Sequence, residues 1–145
     1  MGRLSEEVLL MAKQLDFIDR LADYIDSTGL PFTPVNIGYL GTNESMAIML
    51  LPGGDEAIYL DGVRDKTLNI AIQIKSKVKE STFQANNTLN VLFQLLENLN
   101  DLESENGSFD FNTMRLTSAP SKIGEDEHFE LWETSFQFDL TLYEK

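Results

Sequence analysis

A run of alternating residues near the end of the chain constrains the fold more than any other stretch. From Trp132 to Leu142 every even-numbered residue is apolar or β-branched, and every odd-numbered residue between them is polar. Because successive side chains of a strand point to opposite faces, this pattern predicts a β-strand over Phe129–Tyr143 with one dry and one wet face. Such a strand requires other strands to pair with and helices to cover its dry face.

An amphipathic helix is predicted over Ser5–Asp26, with Ser5 as its N-cap and with Gly29 and Pro31 ending it. Its apolar residues are spaced three and four apart: Leu4, Val8, Met11, Leu15, Ile18, Ala22 and Ile25, with Phe17, Leu21 and Tyr24 beside them. The heptad-like pattern is short and lacks paired flanking charges, so packing on a sheet is favoured over a coiled coil.

A second helix is predicted from Ser81, which forms a capping box with Gln84, to the acidic loop Asp101–Gly107. Its apolar stripe is Ala85, Leu89, Leu92, Leu96 and Leu99, with Phe93, Leu95 and Leu102 beside it. Several asparagines in this helix are weak helix formers, and we therefore expect the helix to depend on tertiary packing for its stability.

Three further strands are predicted. Thr67–Lys77 alternates Leu68, Ile70, Ile72 and Ile74 with mostly polar residues, and the polar end, Lys75 to Lys79, is expected to project beyond the sheet. Phe109–Thr117 is the strand before the closing one; Ser118–Pro120 breaks it, and Gly124–Glu127 forms an acidic turn. A weak strand is predicted at Ile37–Leu40, because Gly38 and Gly41 disfavour it.

A β-hairpin is predicted between the first helix and the Thr67–Lys77 strand. Its strands are Ser45–Leu51 and Glu56–Asp61, joined by a turn at Pro52–Asp55, and its register places Met49 opposite Ile58. Both faces of this hairpin are apolar, whereas a hairpin with one wet side alternates. The second face is therefore covered either by a helix of the same chain or by another subunit.

The predicted order of elements is α-β-β-β-α-β-β, in a single domain over residues 1–145. The fold class is α+β, with two helices packed on one face of an antiparallel or mixed β-sheet. A chain of 145 residues with 42% hydrophobic residues is large enough to bury a core without disulfides.

The net charge of the chain argues against two kinds of binding. Asp and Glu number 24 and Lys and Arg number 11, a formal charge of -13, which disfavours binding to nucleic acid or to anionic lipid. A negative wall past which DNA slides without binding remains compatible with it. The chain has no secretory signal pattern and no run of 18 apolar residues, so we expect a soluble protein made in the cytoplasm.

The sequence contains no recognisable catalytic motif. With no cysteine and a single histidine, His128, neither a thiol nucleophile nor a zinc site is encoded. Two acidic clusters, Glu125–Glu127 and Asp101–Glu105, have oxygen ligands for a hard cation, but neither matches a calcium loop. We therefore expect no enzyme activity, no cofactor and no metal.

Several segments together carry a family resemblance. They are Ala57–Gly62, Leu68–Lys77, the helix containing Ala85, Leu89 and Leu92, the segment Arg115–Pro120, and the ending Trp132–Tyr143. In these segments the chain resembles the tail terminator proteins of long-tailed bacteriophages, including those called minor capsid proteins.

The resemblance implies a structural role. Such proteins form a hexameric ring that caps the tail tube, stops tail polymerisation and joins the tail to the head. The implied partners are other copies of the chain, the tail tube protein and a head–tail connector protein, with DNA passing through the ring unbound. The implied location is the virion, after assembly in the host cytoplasm. The alternatives are a head-closure or neck protein, and a cytosolic small-molecule or peptide binding module; an enzyme is the least favoured.

A closed ring requires two different patches that meet between neighbours. The apolar surplus of the predicted hairpin is the candidate for one of them. We therefore predict a subunit interface at Met49, Leu51, Ile58 and Leu60.

Overall fold

The structure is a computed structural model that describes residues 15–53, 56–58, 63–80, 82–99 and 102–143. In chain order its elements are α1 (Phe17–Ser27), β1 (Asn36–Ile37), β2 (Ser45–Leu51), β3 (Glu56–Ile58), β4 (Val63–Lys77), α2 (Thr82–Glu97), β5 (Phe109–Glu125) and β6 (Phe129–Tyr143).

The strands form a mixed sheet in the order β1-β2-β4-β6-β5, and β3 pairs with β4 as well. β1 runs parallel to β2, and the other pairings are antiparallel. The predicted α+β class and the predicted order of elements are confirmed. A short strand, β1, occurs at Asn36–Ile37 and shares only Ile37 with the predicted Ile37–Leu40. It ends there because Gly38 has a φ of +86°.

β6 lies between β4 and β5, and the core forms on its dry face. Its pairing with β4 runs from Phe129 opposite Lys77 to Tyr143 opposite Val63. Phe136, Phe138 and Leu140 on the even-numbered side are fully buried. The predicted alternation of the closing strand is therefore confirmed.

Aromatic rings hold both helices on that face. Phe17 of α1 packs edge-on against Phe109 at a centroid distance of 5.3 Å. Its ring also packs at a tilt against that of Phe138, at 5.0 Å. Phe93 of α2 stacks on Phe136 at 6.4 Å. Each such pair contributes about 0.5–1.5 kcal/mol beyond the burial of its area.

The stripe predicted for α2 is confirmed, since Ala85, Leu89, Leu92, Leu96 and Leu99 are all buried. The predicted N-cap, Ser81, lies outside the described residues. In α1 the buried residues are Phe17, Leu21, Ala22 and Ile25, so two residues predicted to flank the stripe form its centre.

Within the described part of the chain, α1 begins later than predicted. Leu15 and Asp16 are not helical, the helix starts at Phe17, and the predicted N-cap Ser5 lies outside the described residues. The end of the helix at Ser27, before Gly29, is as predicted.

Asp16 is used to hold the loop that follows α2. Its carboxylate accepts hydrogen bonds from the hydroxyls of Ser104 at 2.7 Å and Ser108 at 3.0 Å, and from the backbone N–H of Glu105 at 2.9 Å. Partial burial raises the pKa of Asp16, but these bonds and one from the N–H of Asn106 outweigh it and lower the pKa below its ordinary value.

The predicted hairpin is wrong, because β2 and β3 lie end to end along the same edge of β4. β2 ends with Leu51 opposite Asn69, and β3 begins with Glu56 opposite Lys66. Because both strands run antiparallel to β4, the chain keeps its direction from β2 to β3, whereas a hairpin would reverse it. The cause is the length of β4, which starts at Val63 and offers one edge to both strands.

β5 continues past the predicted break at Ser118–Pro120 and ends at Glu125. It is an edge strand, where a proline need not remove an inter-strand hydrogen bond. The ladder with β6 shifts register at four places, between Phe111 and Thr113, Leu116 and Ser118, Ser118 and Ser121, and Lys122 and Gly124. These irregularities accommodate Pro120 within the strand.

The end of β4 projects only in part as predicted. Lys77 and Lys79 are exposed, whereas Ser76 is fully buried. The Lys75 ammonium donates to the carbonyls of Gly41 at 3.1 Å and Thr42 at 3.2 Å, and lies 4.4 Å from the centre of the Phe129 ring. These contacts fold the lysine back over the neighbouring strand and loop.

Candidate subunit interface

β2 divides its side chains between the core and the open face of the sheet. Met46 and Ile48 are buried in the core, and they lie opposite Ile74 and Ile72 of β4. Met49 and Leu51 point to the other side, away from the helices, and are half-buried. The chain itself therefore covers one of the two apolar faces noted in the sequence, and the other lies on the open face.

The open face beside Met49 and Leu51 is a network of polar side chains. Asp139 accepts hydrogen bonds from the hydroxyls of Thr67 and Thr113, both at 2.8 Å. In the next row Gln137 donates to Asn69 at 3.0 Å. These cross-strand bonds hold the side chains in place, so the two apolar residues border a preorganised polar surface.

The outer edge of β2 is largely open. β1 pairs with it at two positions, Asn36 with Ala47 and Ile37 with Ile48, and the Gly38 N–H donates to the Ile48 carbonyl. Apart from these contacts with β1 and Gly38, none of the strands that the structure describes pairs with the outer edge of β2 or of β3. An open edge presents unpaired backbone groups and is a site where another chain adds on.

Exposed apolar side chains lie along this edge. Ile37 is 45% exposed, Tyr39 61% and Leu50 63%. Ile37 stands beside Ile48 in the parallel ladder, two residues from Leu50 on the same face of β2. We call Ile37, Tyr39 and Leu50 the edge patch.

The predicted interface residues are only partly described. Met49 and Leu51 are half-buried on the open face, next to the edge patch in the chain. Ile58 lies in β3 and pairs through its backbone with Arg64. Leu60 lies outside the described residues.

The edge patch was not predicted, because its residues come from two segments whose pairing, Ile37 beside Ile48, the sequence did not reveal. A usable signal was present, since no charged residue occurs from Ser27 to Asn43, nor from Ser45 to Gly54, in a chain of charge -13. Protein interfaces are depleted of charge at their centres.

The acidic clusters have local structural roles. Asp126 accepts hydrogen bonds from the backbone N–H groups of Phe129 and His128, which lower its pKa. Arg20 donates to the Glu103 carbonyl at 2.7 Å and to the Glu105 carboxylate at 2.9 Å.

Across the residues described, no three Asp, Glu or His side chains converge to hold a metal ion. His128 lies exposed in the β5–β6 turn.

The described helices include none that is both long and apolar enough to cross a membrane. Among the residues described, the distinctive surface of this α+β protein is the apolar edge patch beside β1 and β2.

A family model described as Bacteriophage tail terminator protein matches residues 19–144. The chain belongs to the bacteriophage tail terminator family, as the resemblance in its sequence indicated. Its role is therefore in phage tail assembly, and the family is one of structural virion components. A comparison with curated proteins gives no match.

Proposed function

We propose that this chain forms a closed homo-oligomeric ring of six subunits that caps the tail tube, stops tail polymerisation and joins the tail to the head. The observation that carries the proposal is the family match over residues 19–144. The partners are further copies of the chain, the tail tube protein and a head–tail connector protein. The protein is without catalytic activity, assembles in the host cytoplasm and acts as one structural unit over its 145 residues.

The shape of the sheet supports a ring. Its two edges differ: one carries β1, β2 and β3, and the other is the irregular strand β5. A head-to-tail contact joins two different patches and closes into a ring when the rotation between neighbours divides a full turn.

In this proposal Met49, Leu51, Ile58 and Leu60 contribute to one of the two patches. Met49 and Leu51 keep apolar surface on the open face although Met46 and Ile48, from the same strand, are buried in the core. A neighbouring subunit that covers them would remove this remaining apolar surface from water, at about 25 cal/mol for each Å².

The charge of -13 supports a lumen through which DNA moves. DNA affinity comes mainly from Lys and Arg contacts to phosphates, and acidic walls oppose such contacts. A ring of these subunits lets DNA pass without holding it.

The direct test is reconstitution with the tail tube protein. Light scattering should give the mass of a hexamer, either for the chain alone or after mixing with tube protein, and electron microscopy should show tubes that stop growing at a capped end. A monomer under both conditions, with tubes that keep elongating, contradicts the proposal. A chain that binds only head connector rings would instead be a neck protein.

The interface residues are tested by the double variant Met49→Asp and Leu51→Asp, with Ser121→Asp at an exposed site on β5 as a control for added negative charge. We expect the double variant to remain folded by circular dichroism and to lose assembly, while the control assembles. If the double variant unfolds, Met49 and Leu51 belong to the core, and this part of the proposal fails.

A further inference from the structure

The exposed side of α2 lacks charge. No Asp, Glu, Lys or Arg occurs from Ser81 to Leu96, and the exposed residues of the helix before Glu97 are Phe83, Gln84, Asn86, Asn87, Asn90 and Gln94. Solvent-facing helix surfaces usually carry many charges. The exposed side of α1, by comparison, includes Asp19, Asp23 and Asp26.

Phe83 stands on this uncharged surface and is 90% exposed. Its backbone is held in place, because the adjacent Thr82 hydroxyl donates at 2.7 Å to the buried carboxylate of Glu130 on β6. An exposed aromatic ring on an ordered, uncharged helix has the character of an interface anchor. We call Phe83 with Asn86, Asn87, Asn90 and Gln94 the helix patch.

The helix patch and the edge patch lie on different parts of the subunit. α2 packs over β4, β6 and β5, whereas Ile37, Tyr39 and Leu50 lie at the β1–β2 side of the sheet. Both patches are uncharged, and each exposes aromatic or aliphatic surface.

We propose that the helix patch of one copy of this chain docks on the edge patch of the next, with Phe83 inserted against Tyr39 and Leu50. This inference rests on the proposed ring. It extends the first ring patch from Met49 and Leu51 across β2 to Leu50, on the other face of the same strand, and makes the helix patch the second.

The net charge of the chain favours a second copy of the same chain as the partner that covers these two patches. Two chains of charge -13 repel each other, and charges within about 10 Å of one another across an interface are little screened. Copies of this chain therefore approach with least repulsion through surfaces that lack charge. Because the two patches differ and lie apart, their contact is head-to-tail, as a ring requires.

The absence of native cysteine allows a clean cross-linking test. Phe83→Cys and Tyr39→Cys are made as separate variants of the full chain, and Ser121→Cys serves as an exposed control. Each replaces an exposed residue, so thermal unfolding should match the wild type. The variants are mixed in pairs, with tail tube protein present, and treated with a short bismaleimide.

We expect a mixture of Phe83→Cys and Tyr39→Cys to give at least about tenfold more covalent dimer than any pair containing Ser121→Cys, because contact raises the effective concentration of the two thiols. Both substitutions in one chain should give a ladder of covalent multimers. Dimers formed by Phe83→Cys alone in equal yield would show a symmetric contact and overturn the proposal.

The outcomes separate the two proposals. If light scattering shows a ring but the mixture cross-links no better than the control, the ring stands and the assignment of its contact surfaces is wrong. If no ring forms with or without tube protein, the proposed function fails and the contact fails with it.

Discussion

Glu130 of β6 accepts a hydrogen bond from the hydroxyl of Thr82, the first residue of α2, and this bond ties the helix to the closing strand. The same carboxylate oxygen accepts a bond from the Trp132 indole N–H at 3.2 Å. Glu130 is almost fully buried, so these donors compensate for its lost hydration. Because Phe83 follows Thr82 directly, the contact also fixes the position from which the Phe83 side chain projects into solvent.

Replacing Glu130 tests this tie. Glu130→Ala leaves two donors without their acceptor and should lower the free energy of unfolding by roughly 1–3 kcal/mol. Glu130→Gln keeps an acceptor oxygen and should cost less. Urea denaturation followed by circular dichroism measures both, and equal losses in the two variants would mean that the hydrogen bonds contribute little.

Asp16→Asn should loosen the loop that follows α2. The amide retains one acceptor for the four donors around Asp16, and we expect a loss of about 1 kcal/mol at neutral pH. Glu127→Gln, an exposed acid in the β5–β6 turn, is the control and should change stability little.

The effect of Asp16 should also depend on pH. Its pKa is lowered in the folded chain, so its stabilisation is fully present above the unfolded pKa of about 3.9 and is lost as the pH falls through the lower folded value. The stability difference between wild type and Asp16→Asn should therefore be constant near neutrality and shrink below about pH 4. A difference that grows in acid would contradict the assigned contacts.

Two buried hydroxyls provide a matched pair. The Ser76 hydroxyl has no hydrogen-bond partner among the described residues, whereas the Thr134 hydroxyl donates to the Ser118 carbonyl at 2.7 Å. Ser76→Ala should be neutral or stabilising, and Thr134→Val should cost roughly 1 kcal/mol. Thermal and urea unfolding compare them; a costly Ser76→Ala would show that this hydroxyl has a partner.

Gly53, after the end of β2, has a φ of +96°, and an added Cβ would lie 3.3 Å from the Asn69 amide nitrogen. Gly53→Ala should therefore destabilise the fold by about 1 kcal/mol. Gly41→Ala is the control, because an added Cβ there meets only the Ser45 side chain at 3.6 Å and no positive φ is required. Equal stability of the two variants would argue against strain at Gly53.

The sequence predicted the parts of the fold that depend on periodic burial. The alternation in β6 and the stripe of α2 each predicted the correct core residues. An element with one buried face has apolar residues at the spacing of that face, and this spacing is visible in the sequence. The family resemblance, built from those same segments, was also correct.

Pairing partners were harder to predict. The Pro52–Asp55 stretch has turn-forming residues, and local composition did not distinguish a hairpin turn from a connection between two strands along one long edge. The pairing is determined by the length of β4, whose start at Val63 was not predicted. Asp16 was likewise read as part of a helix, because the serines that bind it lie about 90 residues away.

The gap between the β2 and β3 ladders also affects how free copies of the chain meet one another. A long, regular sheet edge is a template on which copies of a chain stack without limit. Here one edge is interrupted between β2 and β3, and the other shifts register four times along β5. Neither edge offers an unbroken ladder to an arriving strand, which disfavours growth into fibres.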